Sequence, residues 1–167
     1  MKTITKDYNI YSFEELSQEA KDKAREAYNK DLESPFLQAD LREYIHEELI
    51  ERGYTHGEIT PLYDLSNCQG SGLMFEGIIE DKKGNVYNIK QLGRYFHERS
   101  TEISAHNNKG GEIDATKWEE SVYIPICKIV RDRGYEDIEY SESEEYFAET
   151  CEANEYTFLE DGRMFNE

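Results

Sequence analysis

The sequence predicts an α+β protein: two N-terminal helices, a central antiparallel β-meander of about four strands, then C-terminal helices and a closing strand. Three observations point there. Apolar residues recur at three and four spacing towards both ends of the chain. Between them, β-branched and aromatic residues stand in short runs divided by glycine turns. With 167 residues, no internal repeat and no low-complexity linker, the chain 1–167 reads as a single domain.

Residues 3–11 alternate weakly through Ile4, Tyr8 and Ile10, which predicts an opening strand. Ser12-Phe13-Glu14-Glu15 has the form of a capping box, in which Glu15 reaches back to the Ser12 amide. A helix is expected after it, over about 13–31, with Phe13, Leu16, Ala20, Ala24, Ala27 and Tyr28 on one stripe. Ser34-Pro35 reads as an N-cap followed by proline at the first helical position, where a missing amide is harmless. That second helix runs to about residue 52, carries Leu37, Leu41, Tyr44, Ile45, Glu48 and Leu49 at helical spacing, and stops at Gly53.

Helical periodicity then disappears. Residues 59–65, 73–80 and 86–90 read as strands, the last two joined by the turn Lys82-Lys83-Gly84-Asn85, and Thr101, Ile103 and Ala105 alternate as a fourth. Tyr123, Ile126, Cys127 and Val130 predict a helix over about 118–133, with Pro125 in its first turn or kinking it and Gly134 closing it. Ser141-Glu142-Ser143-Glu144 is a second capping box, opening a short helix that carries Tyr146, Phe147, Ala148 and Cys151 and ends near Asn154. Tyr156-Thr157-Phe158-Leu159, a turn at Asp161-Gly162 and Met164-Phe165 predict the closing strand or hairpin.

Composition narrows the function. The chain has 19 Lys+Arg against 37 Asp+Glu, a net charge of -18, with only 37% hydrophobic residues. Such a balance leans towards disorder, but 13% aromatic residues argue for a folded core. The acidity also disfavours direct contact with nucleic acid phosphates or an anionic membrane. The first 133 residues sum to -7, whereas residues 134–167 hold twelve acids and one base, Arg163. This acidic subregion is interleaved with Tyr135, Tyr140, Tyr146, Phe147, Tyr156, Phe158 and Phe165, so one side of it is expected to pack while the other shows carboxylates. No apolar run reaches the ~18 residues a membrane span needs, and MKTITKDYNIYSF has no signal-peptide core. A cytoplasmic location is expected.

Chemical motifs are sparse. Cys68, Cys127 and Cys151 lie far apart without CxxC spacing, which predicts reduced, buried thiols. His46, His56, His97 and His106 show neither HExxH nor HxH spacing, and no GxSxG occurs. No catalytic, cofactor-binding or metal-ligating residue is therefore assigned, and a non-enzyme is expected. Gln69-Gly70-Ser71-Gly72 is a glycine-dense loop without the lysine and helix of a phosphate loop; it reads as a tight connection or a contact for a protein partner. The candidate partner-binding residues are Glu136, Asp137, Glu139, Glu142, Glu144, Glu145, Glu149, Glu152 and Glu155, with Tyr140 and Tyr146 beside them and Gln69, Gly70 and Gly72 in the loop. The plainer reading of the same carboxylates is a solvated face.

Three stretches resemble a family of small phage proteins described as antitoxin-like: Tyr11-Ser12-Phe13-Glu14-Glu15-Leu16-Ser17 with Ala20-Lys21, residues 65–77 (LSNCQGSGLMFEG) and residues 154–165 (NEYTFLEDGRMF). Where the family pattern has an acid after the QG pair, this chain has Ser71. The resemblance implies a phage origin, action inside the host bacterial cell and a non-catalytic, protein-binding role. The expected partner is a host or phage protein with a basic nucleic-acid-binding surface, above all a CRISPR effector nuclease or a restriction enzyme, inhibited by nucleic-acid mimicry or site occlusion. The alternatives are an antitoxin masking a partner toxin, a small metal-dependent hydrolase around His97, His106 and neighbouring acids, and a self-assembling phage component. A homodimer would need an apolar patch on so charged a surface.

Overall fold

The computed structural model describes residues 2–30 and 36–165. The fold is α+β, in the order α1 (Gln18–Lys30), α2 (Leu37–Glu51), β1 (Thr55–Asp64), β2 (Gly72–Glu80), β3 (Val86–Gln91), β4 (Thr101–His106), β5 (Glu112–Ile113), α3 (Thr116–Trp118), α4 (Ile124–Ser141) and α5 (Glu144–Ala153). The chain divides into two compact units, Met1–Ser34 with Asp137–Glu167 and, between them in sequence, Pro35–Glu136. From Asp137 onwards the acidic subregion thus belongs with the N-terminal segment. Among the described residues no helix is long and apolar enough to cross a membrane.

In the middle unit, α2 buries Leu37, Leu41, Ile45 and Leu49, one residue per turn. It ends as its glycine predicts. Gly53, at φ +84°, donates to the Ile50 carbonyl and Tyr54 donates to the Leu49 carbonyl, both at 2.9 Å, which is the Schellman pattern. The Ser34-Pro35 cap expected at the other end lies outside the described residues.

The five strands form one antiparallel meander in the order β1-β2-β3-β4-β5, one short strand more than predicted. Its apolar side chains Ile59, Leu73, Phe75, Ile79, Tyr87, Ile89 and Ala105 are buried. Pro61 stands opposite Phe75 in the β1–β2 register and has no amide to offer. On the side where β3 does not reach, the main chain of Phe75 meets Tyr123, whose hydroxyl accepts from the Phe75 amide at 3.0 Å and donates to its carbonyl at 2.9 Å. Trp118 stacks on Tyr87, with ring centroids 4.0 Å apart and planes within 11°.

The helix expected over 118–133 proves longer and less regular. A π-helical turn, Glu119–Tyr123, connects α3 to α4, and the Ile124 amide reaches back five residues to the Glu119 carbonyl. Pro125 follows directly, and the widened turn relieves the clash its ring would make in an unbroken α ladder. Gly134 does not close the helix; it lies inside α4, buried. A Cβ there would come 2.8 Å from Leu65 Cδ1 and 3.0 Å from Leu41 Cδ2, so its smallness serves close packing rather than termination.

The other unit is held by an aromatic cluster. Phe13, Leu16, Ala20, Ala24, Phe147, Cys151 and Phe158 form its core. The Phe13 and Phe147 rings meet edge to face at 5.0 Å. The opening strand does not form: Ile4, Tyr8 and Ile10 are exposed, and only Tyr11 pairs, through two 2.9 Å bonds to Phe158. Three scattered apolar residues supply too little face to bury. Only half of the Ser12–Glu15 box forms: Glu15 accepts from the Ser12 amide at 2.8 Å, but the Ser12 hydroxyl donates to the same carboxylate at 3.0 Å, and the turn it closes is separate from α1. The cap of α1 is Ser17, whose hydroxyl accepts from the Ala20 amide at 3.3 Å. Likewise α5 is capped by Ser143, accepting from Tyr146, and not by Ser141. The closing strand reduces to a bridge between Phe158 and Met164 around a turn with Gly162 at φ +87°.

Candidate functional site

The geometry of α5 separates its apolar and acidic residues. Phe147 and Cys151, four apart, point into the aromatic core. Glu145, Glu149 and Glu152 occupy the i, i+4 and i+7 positions of one helical face and are exposed. The helix then ends in a second Schellman pattern: the Glu155 amide donates to the Glu152 carbonyl at 3.2 Å and the Tyr156 amide to the Cys151 carbonyl at 2.9 Å. Here the left-handed residue is Glu155, at φ +54°.

Beside this face lies a groove of about 490 Å³. Phe13, Ala148, Cys151 and Tyr156 give it an apolar lining, and Glu14, Glu145, Glu149, Glu152 and Glu155 surround them with five carboxylates. Among the described residues none of the five forms an ion pair. Burial pushes the Cys151 thiol up to about 11, so it remains an apolar wall and not a nucleophile. Such a groove suits a cationic side chain whose methylene stem lies on the lining while its head meets the acids.

The other acidic residues singled out by sequence go elsewhere. Glu144 is half-buried, 3.6 Å from Arg25, and accepts from Gln18 at 3.2 Å. Glu142 is exposed between the helices, and its carbonyl accepts from Asn29 at 3.3 Å. Glu136, Asp137 and Glu139 sit on α4, with Asp137 half-buried. Tyr140 and Tyr146 pair edge to face at 5.5 Å, and the Tyr140 hydroxyl donates to Glu149 at 3.3 Å. The Glu149 charge holds the Tyr140 phenol above its usual range. Glu14 and the lining residues Phe13 and Tyr156 are not among the site residues expected from sequence; Phe13 joins the site by packing on Phe147, and Tyr156 by its bond to the Cys151 carbonyl at the end of α5.

The glycine loop belongs to the middle unit. Gln69 and Gly70 line a separate cavity of about 550 Å³ with Tyr95, His97 and Ser100. Gly72 is buried, and a Cβ on it would fall 2.6 Å from the Phe96 carbonyl oxygen, so its role is close packing. Cys68 departs from the expected burial: it is exposed in this loop. Hydrogen bonds from Ser66 and Ser71, at 3.2 and 3.5 Å, hold its thiol below the usual range. His97 lies in the turn before β4, where its carbonyl accepts from the Ser100 amide at 2.8 Å, and His106 ends that strand. Among the described residues no three His, Cys, Asp or Glu side chains gather as metal ligands.

Neither a family model, a curated protein nor a solved structure matches this chain. The likeness to small phage proteins therefore rests on the three stretches quoted above.

Proposed function

We propose that this is a phage-encoded, non-catalytic protein that binds a basic nucleic-acid-binding surface of a host-defence nuclease, a CRISPR effector or a restriction enzyme, and occludes it. The observation that carries this reading is the groove in which five carboxylates, without a cationic partner among the described residues, surround an apolar lining. A helix gains nothing from this arrangement by itself. Glutamates four apart repel by about 0.2–0.5 kcal/mol, and a non-glycine residue in the left-handed conformation of Glu155 costs roughly 1–2 kcal/mol. Strain of this kind at a rim position fits a contact residue.

Magnitudes favour occlusion over imitation of a duplex. With a rise of ~1.5 Å per residue, Glu145, Glu149 and Glu152 present about one charge per 5 Å, whereas duplex DNA carries one per ~1.7 Å of axis. The stripe is too sparse to copy the phosphate lattice, but it is dense enough to seat a few arginines or lysines.

The test is inhibition of a purified effector nuclease, with capture by the tagged protein at low and high salt. Capture should weaken steeply as salt rises. The triple variant Glu145→Lys, Glu149→Lys, Glu152→Lys should lose capture and inhibition while keeping its helical circular dichroism. Undiminished inhibition by the triple variant, or capture indifferent to salt, would overturn the proposal.

A further inference from the structure

His46 and His56 take no part in the acidic groove, yet the fold brings them together with some care. His46 lies on α2 and His56 near the start of β1, both in the middle unit. His46 Nδ1 is 2.7 Å from His56 Nε2, with the rings edge to face at 5.0 Å. His56 Nδ1 is 2.6 Å from the Gly57 carbonyl, which can only accept. Nδ1 of a neutral His56 therefore carries the hydrogen, and its Nε2 presents a lone pair to which His46 Nδ1 donates.

Two further features place the pair. The β1–β2 register shifts between His56 and Ile59, a bulge of the kind that re-aims a side chain. Opposite it stands Gly77, where a Cβ would fall 2.6 Å from Ile59 Cδ1 and 2.9 Å from the Glu58 carbonyl oxygen, so only glycine leaves room for the irregular strand.

The geometry points to a two-histidine site for a divalent zinc ion, completed by water. Imidazole nitrogen suits zinc, and a ligating histidine ordinarily holds its other N–H on a backbone carbonyl, as His56 does on Gly57. Zinc–nitrogen bonds of ~2.0–2.1 Å in a tetrahedral shell set two nitrogens about 3.3 Å apart. A ring shift of roughly 0.6 Å would admit the ion. On binding, the ion accepts both lone pairs, the hydrogen on His46 Nδ1 passes through solvent to His46 Nε2, and each ring stays neutral.

Zinc titration of the full chain by calorimetry, in excess magnesium to occupy oxygen sites, tests the site. His46→Gln and His56→Gln should each weaken zinc by at least the tenfold that even outer-sphere partners of a metal are worth. His97→Gln and Cys68→Ser should bind as the parent does. On the unaltered protein, long-range proton–nitrogen NMR should show zinc moving His46 Nδ1 and His56 Nε2 together while His97 and His106 stay in place. No zinc binding, undiminished affinity in either glutamine variant, or ring nitrogens that do not shift would overturn the site, the last two leaving an adventitious ion only.

Discussion

Carboxylates in the sheet-bearing unit and carboxylates on α5 are used in opposite ways. Asp81 accepts from the amides of Lys83 and Asn85 and from the Asn85 side chain, at 2.8, 3.0 and 2.8 Å, which closes the β2–β3 turn. Glu48 pairs with Arg52, Glu47 with Arg133 and Glu120 with Arg99. On α5, Glu144 meets Arg25, but among the described residues Glu145, Glu149 and Glu152 have no cation, and the same holds for Glu155 just beyond it. By sequence count the two units carry net charges of -6 and -12. The helix ends repeat the contrast, since α2 and α5 close with the same hydrogen bonds, one around Gly53 and the other around Glu155. One set of acids is consumed by its own fold; the other is held available at some expense in stability.

The contrast can be broken in four places. Asp81→Ala should be the most damaging, by about 2–3 kcal/mol in urea unfolding, because it orphans several donors at once. Burial works to raise the Asp81 carboxyl, but the donors from Asn85 and Lys83 outweigh it and leave it below its usual value. Its contribution is thus present above the unfolded-state value and lost as pH falls through the lower folded one, so stability curves measured down through the acid range should flatten in this variant. Gly53→Glu, which places on α2 the residue that α5 tolerates, should cost about 1–2 kcal/mol by the same measurement. Glu155→Gly should stabilise by about 1 kcal/mol and weaken capture of a basic partner. If it left capture unchanged, the strained residue would have no part in the contact. Glu149→Gln should stabilise by about 0.2–0.5 kcal/mol at low salt, and the gain should vanish in ~1 M salt, where charges are screened within about 3 Å.

Much of the fold was legible because its signals are local. The four-residue spacing of Leu37, Leu41, Ile45 and Leu49 and the glycine after them announce α2, and alternation with turn residues announces the meander. Some misreadings are local, as where the caps of α1 and α5 fall on Ser17 and Ser143, and others concern residues whose role is set by distant partners. Gly134 resembles a helix stop, but Leu41 and Leu65, far away in sequence, decide it. The outward stripe of Glu145, Glu149 and Glu152 could be read from spacing, whereas Glu14 could not, since it lines the groove beside Phe13, which packs on Phe147 from the opposite end of the chain. The His46–His56 contact was equally invisible, because it joins a helix to a bulged strand and no fixed spacing encodes it.

Tyr123 also bears on how the sheet is finished. Beyond the end of its pairing with β3, which begins at Gly77, the first half of β2 offers main-chain groups on that side, and the phenol takes both of those belonging to Phe75. A buried amide and carbonyl left without partners would each cost about 1–3 kcal/mol. One hydroxyl, itself buried, discharges both, so a side chain takes the place of a further strand at that point.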